Sequence, residues 1–492
     1  MIGQAFAVDY APRLEDCFFF NAVEDAYDLT GISGRVPEWI RGSWYVNGPS
    51  QFERGGMRCN HWLDGAGMIC ALRFTNEGPH FTSRRVRTRK LEDEDAAGRF
   101  LYRGFGTSFP GDRLWRNMML EPPVNVSVYP FAGRLLAFGE QTLAYELDPL
   151  TLQTRGVYDF NGKLNALSPF AAHAKLNRGL LNFGVSFSTK QPMLNVYEFD
   201  EKGSLNRRKR YPLAHPYSMH DFGFTPSRVV FFLSPLLMRF EKFWNEGASV
   251  MEALSWEPEI PSVIFIAPRI GAASEPLSVE VGEGYCLHFI NCFESESHLT
   301  VDVLVLEAPV YSEYQPLPDL FQNVTRCQPV RYLIDLESRQ LISATRLDYS
   351  LAPDFPSIDP PHAGSLYGDF WMLGISACGR PGRKFFDQFV RASWSTRSFD
   401  IYQAAPGEYF SAEPCIICNP ADRSEAVAVV ERLKPASNLV EMLLFDAFAI
   451  GHGPIATMPL RHPIHPGFHT SFAPSSRTTV VNSRNIPTIP YD

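Results

Sequence analysis

The sequence has no run of the roughly 18 to 20 apolar residues that a membrane-spanning helix needs. It has no basic block, and 45 Lys and Arg against 54 Asp and Glu leave a net charge of −9. That balance argues against a nucleic-acid binder and against docking on anionic lipid through a polybasic patch. The start, MIGQAFAVDYAPRLEDCFFF, lacks a basic n-region, a sustained apolar stretch and a small-residue cleavage site, which predicts a cytoplasmic protein. The nine cysteines are odd in number and scattered, so a disulfide framework is not expected. Cys415-x-x-Cys418 is a lone close pair and reads as two buried small residues. Long amphipathic helical patterns are scarce.

What the chain does have is punctuation. Its 39 prolines and 35 glycines recur every dozen or so residues. Between them lie short runs rich in Val, Ile, Phe and Tyr, the texture of an all-β protein with many turns. A weak repeat supports this. Ala144-Tyr-Glu-Leu-Asp148, Val196-Tyr-Glu-Phe-Asp200 and Tyr332-Leu-Ile-Asp335 each end a strand in Asp, turn, and start a second strand. Recurrent hairpins at wide intervals suggest propeller blades. No linker interrupts the pattern, so residues 1–492 are expected to form one unit. The 38 Phe and 19 Tyr predict a large apolar interior, with room for an apolar ligand space.

Segment 234–247, SPLLMRFEKFWNEG, reads as a short helix-like stretch carrying Leu236, Leu237, Met238, Phe240, Phe243 and Trp244. It is either a buried connector or an exposed apolar patch that dips into a membrane interface.

Four histidines far apart in the chain sit in short apolar stretches: His173 in SPFAAHAKLN, His220 in HPYSMHDFGFTP, His288 in GYCLHFINCFE and His469 in HPGFHTSF. No two are close enough for a local zinc motif. Together they read as one metal site assembled from four strands. Imidazole suits iron, copper, zinc and nickel, and ligands delivered to a central axis can leave a coordination position open for catalysis. The other eight, His61, His80, His215, His298, His362, His452, His462 and His465, read as surface, turn or outer groups. Carboxylates among apolar residues are the second signal. Glu140 ends RLLAFGE, Asp354 opens DFPSI and Glu413 lies in SAEP. A metal-bound imidazole commonly donates its other N–H to such a carboxylate.

At this point a resemblance becomes specific. Gly42-Ser-Trp-Tyr-Val-Asn-Gly-Pro49 resembles G-x-x-x-R-N-G-P, and His61-Trp-Leu-Asp-Gly-Ala-Gly-Met68 resembles H-x-F-D-G-D-G-M. His220-Asp221-Phe222, His288-x-x-Asn291 and Phe468-His469 follow in order. The chain is similar to the carotenoid cleavage oxygenases, a family that takes in apocarotenoid oxygenases, lignostilbene dioxygenases and a retinoid isomerase. The resemblance implies a seven-bladed β-propeller, with loops and short helices forming a dome over an axial Fe(II). His173, His220, His288 and His469 would hold the iron. Glu140 would orient His220, Asp354 would orient His288 and Glu413 would orient His469, leaving His173 without a carboxylate partner.

The chain departs from the family at several positions. Val46 stands where Arg is usual and Ala66 where Asp is usual, both read as scaffold changes away from the iron. Asp354 replaces Glu, one methylene shorter, so the backbone moves in, a water bridges, or His288 is held more loosely. Val126, in Asn125-Val-Ser-Val-Tyr-Pro130, covers the position of a small β-branched residue and would place a methyl over one vacant coordination site. Gly139 stands where lignostilbene-type members carry a Lys that binds a phenolate.

The implied chemistry is O2-dependent cleavage of a carbon–carbon double bond to two carbonyl products, with no reducing cofactor and no obligatory acid or base. The implied substrate is an apolar conjugated alkene. An apocarotenoid or carotenoid is the leading reading, and segment 234–247 would suit its extraction from a bilayer. Cleavage of a stilbene or other phenylpropenoid to aromatic aldehydes is the alternative, weakened by Gly139. Readings of a different class are a carotenoid- or retinoid-binding protein without turnover, and a propeller hydrolase or interaction scaffold.

Overall fold

The computed structural model describes residues 8–115, 119–187, 191–269, 275–309, 317–324 and 326–475. Seven antiparallel sheets of four or five strands form the blades of a β-propeller. The strands are apolar on both faces because each blade packs between two others. Arg228–Leu233 is typical. Val229, Phe231 and Leu233 pack with Leu181, Phe183 and Val196 of the preceding blade. Val230 and Phe232 pack with Val301, Val303 and Tyr332 of the following one. A period of two thus places both sets of side chains in a core. This is why the sequence shows short continuous apolar runs rather than clean alternation.

The three repeated Asp motifs all prove to be blade hairpins. Tyr145–Leu147 pairs with Thr154–Val157, Met193–Phe199 with Leu205–Pro212, and Cys327–Asp335 with Gln340–Arg346. In each, the Asp side chain accepts two backbone N–H groups of the turn: Leu150 and Thr151 on Asp148, Lys202 and Ser204 on Asp200, Glu337 and Ser338 on Asp335. The carboxylate does the work of a backbone acceptor and fixes a tight turn.

Seven innermost strands ring the axis, and each carries one residue of the candidate site within it or just before it. In chain order these are Val126 before Ser127–Phe131, His173 before Lys175–Leu176, and His220 before Gly223–Phe224. Next come His288 within Tyr285–Ser295, Asp354 at the start of Asp354–Ser357, and Glu413 within Tyr409–Cys418. His469, before Thr470–Pro474, completes the ring. That last strand pairs with Gly42–Pro49, so segments from the two ends of the chain share the closing blade.

Three sequence readings need correction here. Segment 234–247 is not one helix. Leu236–Met238 is a strand paired with Leu254–Trp256, and only Phe240–Asn245 is helical. Leu236, Leu237 and Phe243 are buried, so the exposed aromatic surface reduces to Trp244 and the half-buried Phe240, which stacks on it and on Phe187. A short basic run does exist. Arg207-Arg208-Lys209-Arg210 lies on the outer strand Leu205–Pro212, where Arg208 donates to Asn195 and Arg207 to the Pro268 carbonyl. Val46 is also nearer the centre than expected, since it pairs with Thr470, the residue after His469. All nine cysteines are free thiols, eight of them buried and Cys418 half-buried.

Candidate metal centre

His173, His220, His288 and His469 converge so that one ring nitrogen from each lies within 4.8 Å of the others. The ladder breaks where these residues must turn inward. Register shifts flank His288 between Cys286 and Phe289, Asp354 before Ser357, and Glu413 between Ser411 and Cys415. A bulge frees a residue from pairing and re-aims its side chain. Each of the three outer carboxylates also adjoins a non-glycine residue in the left-handed region: Gln141 (φ 57°) after Glu140, Phe355 (φ 51°) after Asp354 and Ala412 (φ 60°) before Glu413. Such conformations cost on the order of 1–3 kcal/mol and cluster where function demands them.

A carboxylate lies close to the Nδ1 of three of the four histidines. His220 Nδ1 lies 2.6 Å from Glu140 Oε1, His288 Nδ1 2.5 Å from Asp354 Oδ1, and His469 Nδ1 3.2 Å from Glu413 Oε2. At His288 and His469, where Nδ1–H is directed at the carboxylate, the ring turns its Nε2 lone pair to the axis. His173 Nε2 and His220 Nε2 are 3.0 Å apart. His288 Nε2 is buried and has no hydrogen-bond partner among the described residues. Converging lone pairs in an apolar setting repel unless a cation sits between them. The donor set therefore fits a metal ion, and a soft-to-intermediate divalent one by its all-imidazole character.

Burial and the neighbouring imidazoles hold the basicity of His173 well below the usual range. Burial also lowers His469, against the opposing pull of Glu413. Burial works against protonation of His288 as well, yet Asp354 outweighs it and raises that group. Asp354 is in turn lowered, its burial offset by His288.

A narrow cleft opens beside His220, His288 and His469, lined by His61, Trp62, Leu63, Val126, Leu287, Asp354, Phe355 and Phe468. Val126 lines this cleft, and its carbonyl accepts the His469 backbone N–H. Phe355 was not foreseen. Its backbone N–H donates to Asp354 Oδ1, and its ring stacks on His288 at 5.7 Å. His61, read as an outer group, is fully buried in this wall, its Nδ1 accepting from Leu63 N–H. His465, also read as an outer group, is buried and stacks on Phe20 away from the site. Nor is His173 without a carboxylate. Asp221 Oδ1 lies 3.6 Å from its Nδ1.

The family model described as retinal pigment epithelial membrane protein matches residues 19–474. The chain belongs to this family. An apocarotenoid-15,15'-oxygenase of Synechocystis sp. is 26% identical over 91% of this chain and 93% of its own length. An isoeugenol monooxygenase of Pseudomonas nitroreducens is 26% identical over 94% and 98%. A lignostilbene-alpha,beta-dioxygenase isozyme of Sphingomonas paucimobilis is 23% identical over 93% and 95%. The crystal structure of cobalt-substituted Synechocystis apocarotenoid oxygenase matches with a TM-score of 0.86 at 23% identity, covering 95% of this chain and all of that one. That likeness fixes the fold as the seven-bladed propeller of the family. This protein is an oxygenase acting on apolar small molecules.

Proposed function

We propose that His173, His220, His288 and His469 hold a single iron(II), and that the chain, working as one unit, uses it with O2 to cleave an alkene. The substrate is an apolar conjugated polyene, an apocarotenoid or carotenoid, and the products are two carbonyl compounds. The observation that carries this reading is the convergence of four imidazoles, three of them backed by carboxylates, beside an apolar cleft. Iron(II) in a neutral nitrogen set retains its charge and supplies the centre at which O2 reacts. Both oxygen atoms leave in the products, so no reductant is consumed.

The protein's own part is positioning. Trp62, Phe355 and Phe468 present flat apolar faces against which a conjugated chain can lie. Trp62 commits its N–H to the Pro466 carbonyl, which leaves its ring as an apolar surface. Val126 narrows the space above the histidines. The walls exclude water and hold the scissile bond beside the metal, which is where an enzyme without acid–base groups gains its rate.

Aryl alkenes are the second reading, favoured by relatives named for isoeugenol and lignostilbene at like identity. Gly139 counts against phenolate capture from that position. A Cβ there would lie 3.0 Å from Val124 Cα and 3.2 Å from its N, so a side chain at this position needs the Val124 backbone to shift by a few tenths of an ångström.

No helix among the described residues is long and apolar enough to cross a membrane. Trp244 and Phe240 support reversible contact of a cytoplasmic protein with a bilayer holding the polyene. The decisive assay offers the iron-loaded protein an apocarotenal, a hydroxystilbene and a propenyl-phenol under air. Aldehydes from the polyene are expected. Aldehydes from an aryl alkene alone would transfer the assignment to the second reading.

A further inference from the structure

Three of the four histidines have a carboxylate within hydrogen-bond reach of Nδ1, and the fourth has Asp221. This side chain is buried and sits at the junction of three ligand-bearing segments. It directly follows His220 in the chain. Its Oδ2 accepts the backbone N–H of Phe289, the residue after His288, at 2.8 Å. Its Oδ1 accepts its neighbour Phe222 N–H at 2.8 Å and lies 3.6 Å from His173 Nδ1. Lys175, two residues past His173, donates to the same Oδ1 at 2.7 Å.

We propose that the Lys175–Asp221 pair is the positioning device for His173 and, through it, ties three of the four ligand segments into one rigid frame. The inference rests on the metal reading above. For His173 to offer Nε2 to a metal, Nδ1 must carry the proton. Among the described residues, Asp221 is the carboxylate that faces it. Asp221 Oδ1 already accepts from Lys175 and Phe222 and lies 3.6 Å from His173 Nδ1, beyond direct hydrogen-bond distance, so the carboxylate favours the proton on Nδ1 through its charge rather than through a hydrogen bond. Lys175 has two tasks. It compensates a charge buried in an apolar setting, which an unpaired carboxylate there could not retain. It also spans His173 and Asp221, so that the strand starting at Lys175 cannot move without the loop that carries His220. Asp221 and Lys175 touch neither the cleft nor the reacting atoms. They act through the histidines.

Three variants test the pair. D221N removes the charge and reverses one acceptor into a donor. K175M removes the cation and keeps the apolar stem, and because it strands the buried Asp221 carboxylate its folding is checked alongside its metal binding. K175R restores a cation. Anaerobic iron(II) affinity is read by competition with a chelator, cobalt(II) binding by its visible absorption, and folding by thermal unfolding.

Affinity is expected to fall about 10- to 100-fold in D221N and K175M, the usual scale for loss of a group orienting a ligand. The cobalt band of both variants is expected to shift, and K175R is expected to recover most of the loss. A lower unfolding temperature with an unchanged cobalt band and unchanged affinity would make the pair scaffold only and overturn the proposal. Affinity within twofold of the parent in both variants would overturn it too. A parent chain that binds neither metal would instead remove the metal reading itself, and this inference with it.

Discussion

Asp354 meets His288 at 2.5 Å although its side chain is one methylene shorter than the glutamate usual in the family. The pairing register breaks between Asp354 and Ser357, and Phe355 takes φ 51°. Neither a bridging water nor a loosened His288 is needed. D354E, the change toward the family pattern, adds about 1.5 Å of reach where there is no room. It is expected to weaken metal binding and to cost about 1–3 kcal/mol of stability through overpacking. D354N, which loses the charge, is expected to weaken binding about 10- to 100-fold. Chelator competition and thermal unfolding check both, and tighter binding by D354E would show that there is room for the longer side chain.

That comparison also marks what was legible in the sequence. The propeller was readable because turn-forming Asp residues recur at strand ends, and the turn chemistry of Asp148, Asp200 and Asp335 is local. The metal set was readable because each histidine lies in a recognisable apolar stretch and the family order is kept. The 234–247 stretch was misread because a run of large apolar residues looks alike whether it is strand, helix or surface. Only the pairing of Leu236–Met238 with Leu254–Trp256 decides it. Asp221 and Phe355 were in view inside motifs, but their contacts join segments more than 60 residues apart in the case of Phe289 N–H to Asp221, which no local pattern encodes.

Glu431 gives a pH prediction. It is fully buried, and burial raises its carboxyl from near 4.5 to about 8 against the hydrogen bond from Ser411 Oγ at 2.5 Å. Gly467 explains the setting. A Cβ there would lie 2.7 Å from Val46 Cγ2 and 3.4 Å from Glu431 Oε2, so the acid is closed in by close-packed backbone and an apolar side chain. Between pH 4.5 and 8 the unfolded chain has released this proton and the folded chain has not. Stability therefore falls as pH rises through that window and levels off above it, by an amount on the order of 5 kcal/mol. E431Q keeps the shape of the protonated acid and removes the titration. Its stability relative to the parent is expected to grow from pH 4.5 to 8 in denaturant unfolding. A difference that stays flat would show that Glu431 is ionised throughout.

Gly139 gives a prediction about specificity. Because a Cβ there would press on the Val124 backbone, itself at φ 55°, even G139A is expected to cost about 1–3 kcal/mol. G139K is expected to lose stability without gaining hydroxystilbene cleavage, since Lys there would have to displace the Val124 backbone. Product analysis with the stilbene checks this, and faster cleavage by G139K would mean that Val124 yields and the phenolate site can be rebuilt by one residue.

The aromatic surface offers the last test. Trp244 is 46% exposed and stacks on Phe240 at 4.7 Å, while Leu236, Leu237 and Phe243 are buried. Changing the buried three would damage the fold and say nothing about membranes. F240S/W244S changes only the outer pair. Each inserted side chain is worth roughly 1.5 to 3 kcal/mol, so losing both should weaken binding to neutral vesicles about 100-fold or more. Cleavage of a polyene dissolved in vesicles should fall in parallel, while cleavage of the same polyene in detergent micelles stays near the parent rate. Vesicle binding is read by co-sedimentation. Parent-like sedimentation of the double variant would remove the patch from the account, and a matching loss of rate in detergent would place these residues in the path to the cleft rather than at the bilayer.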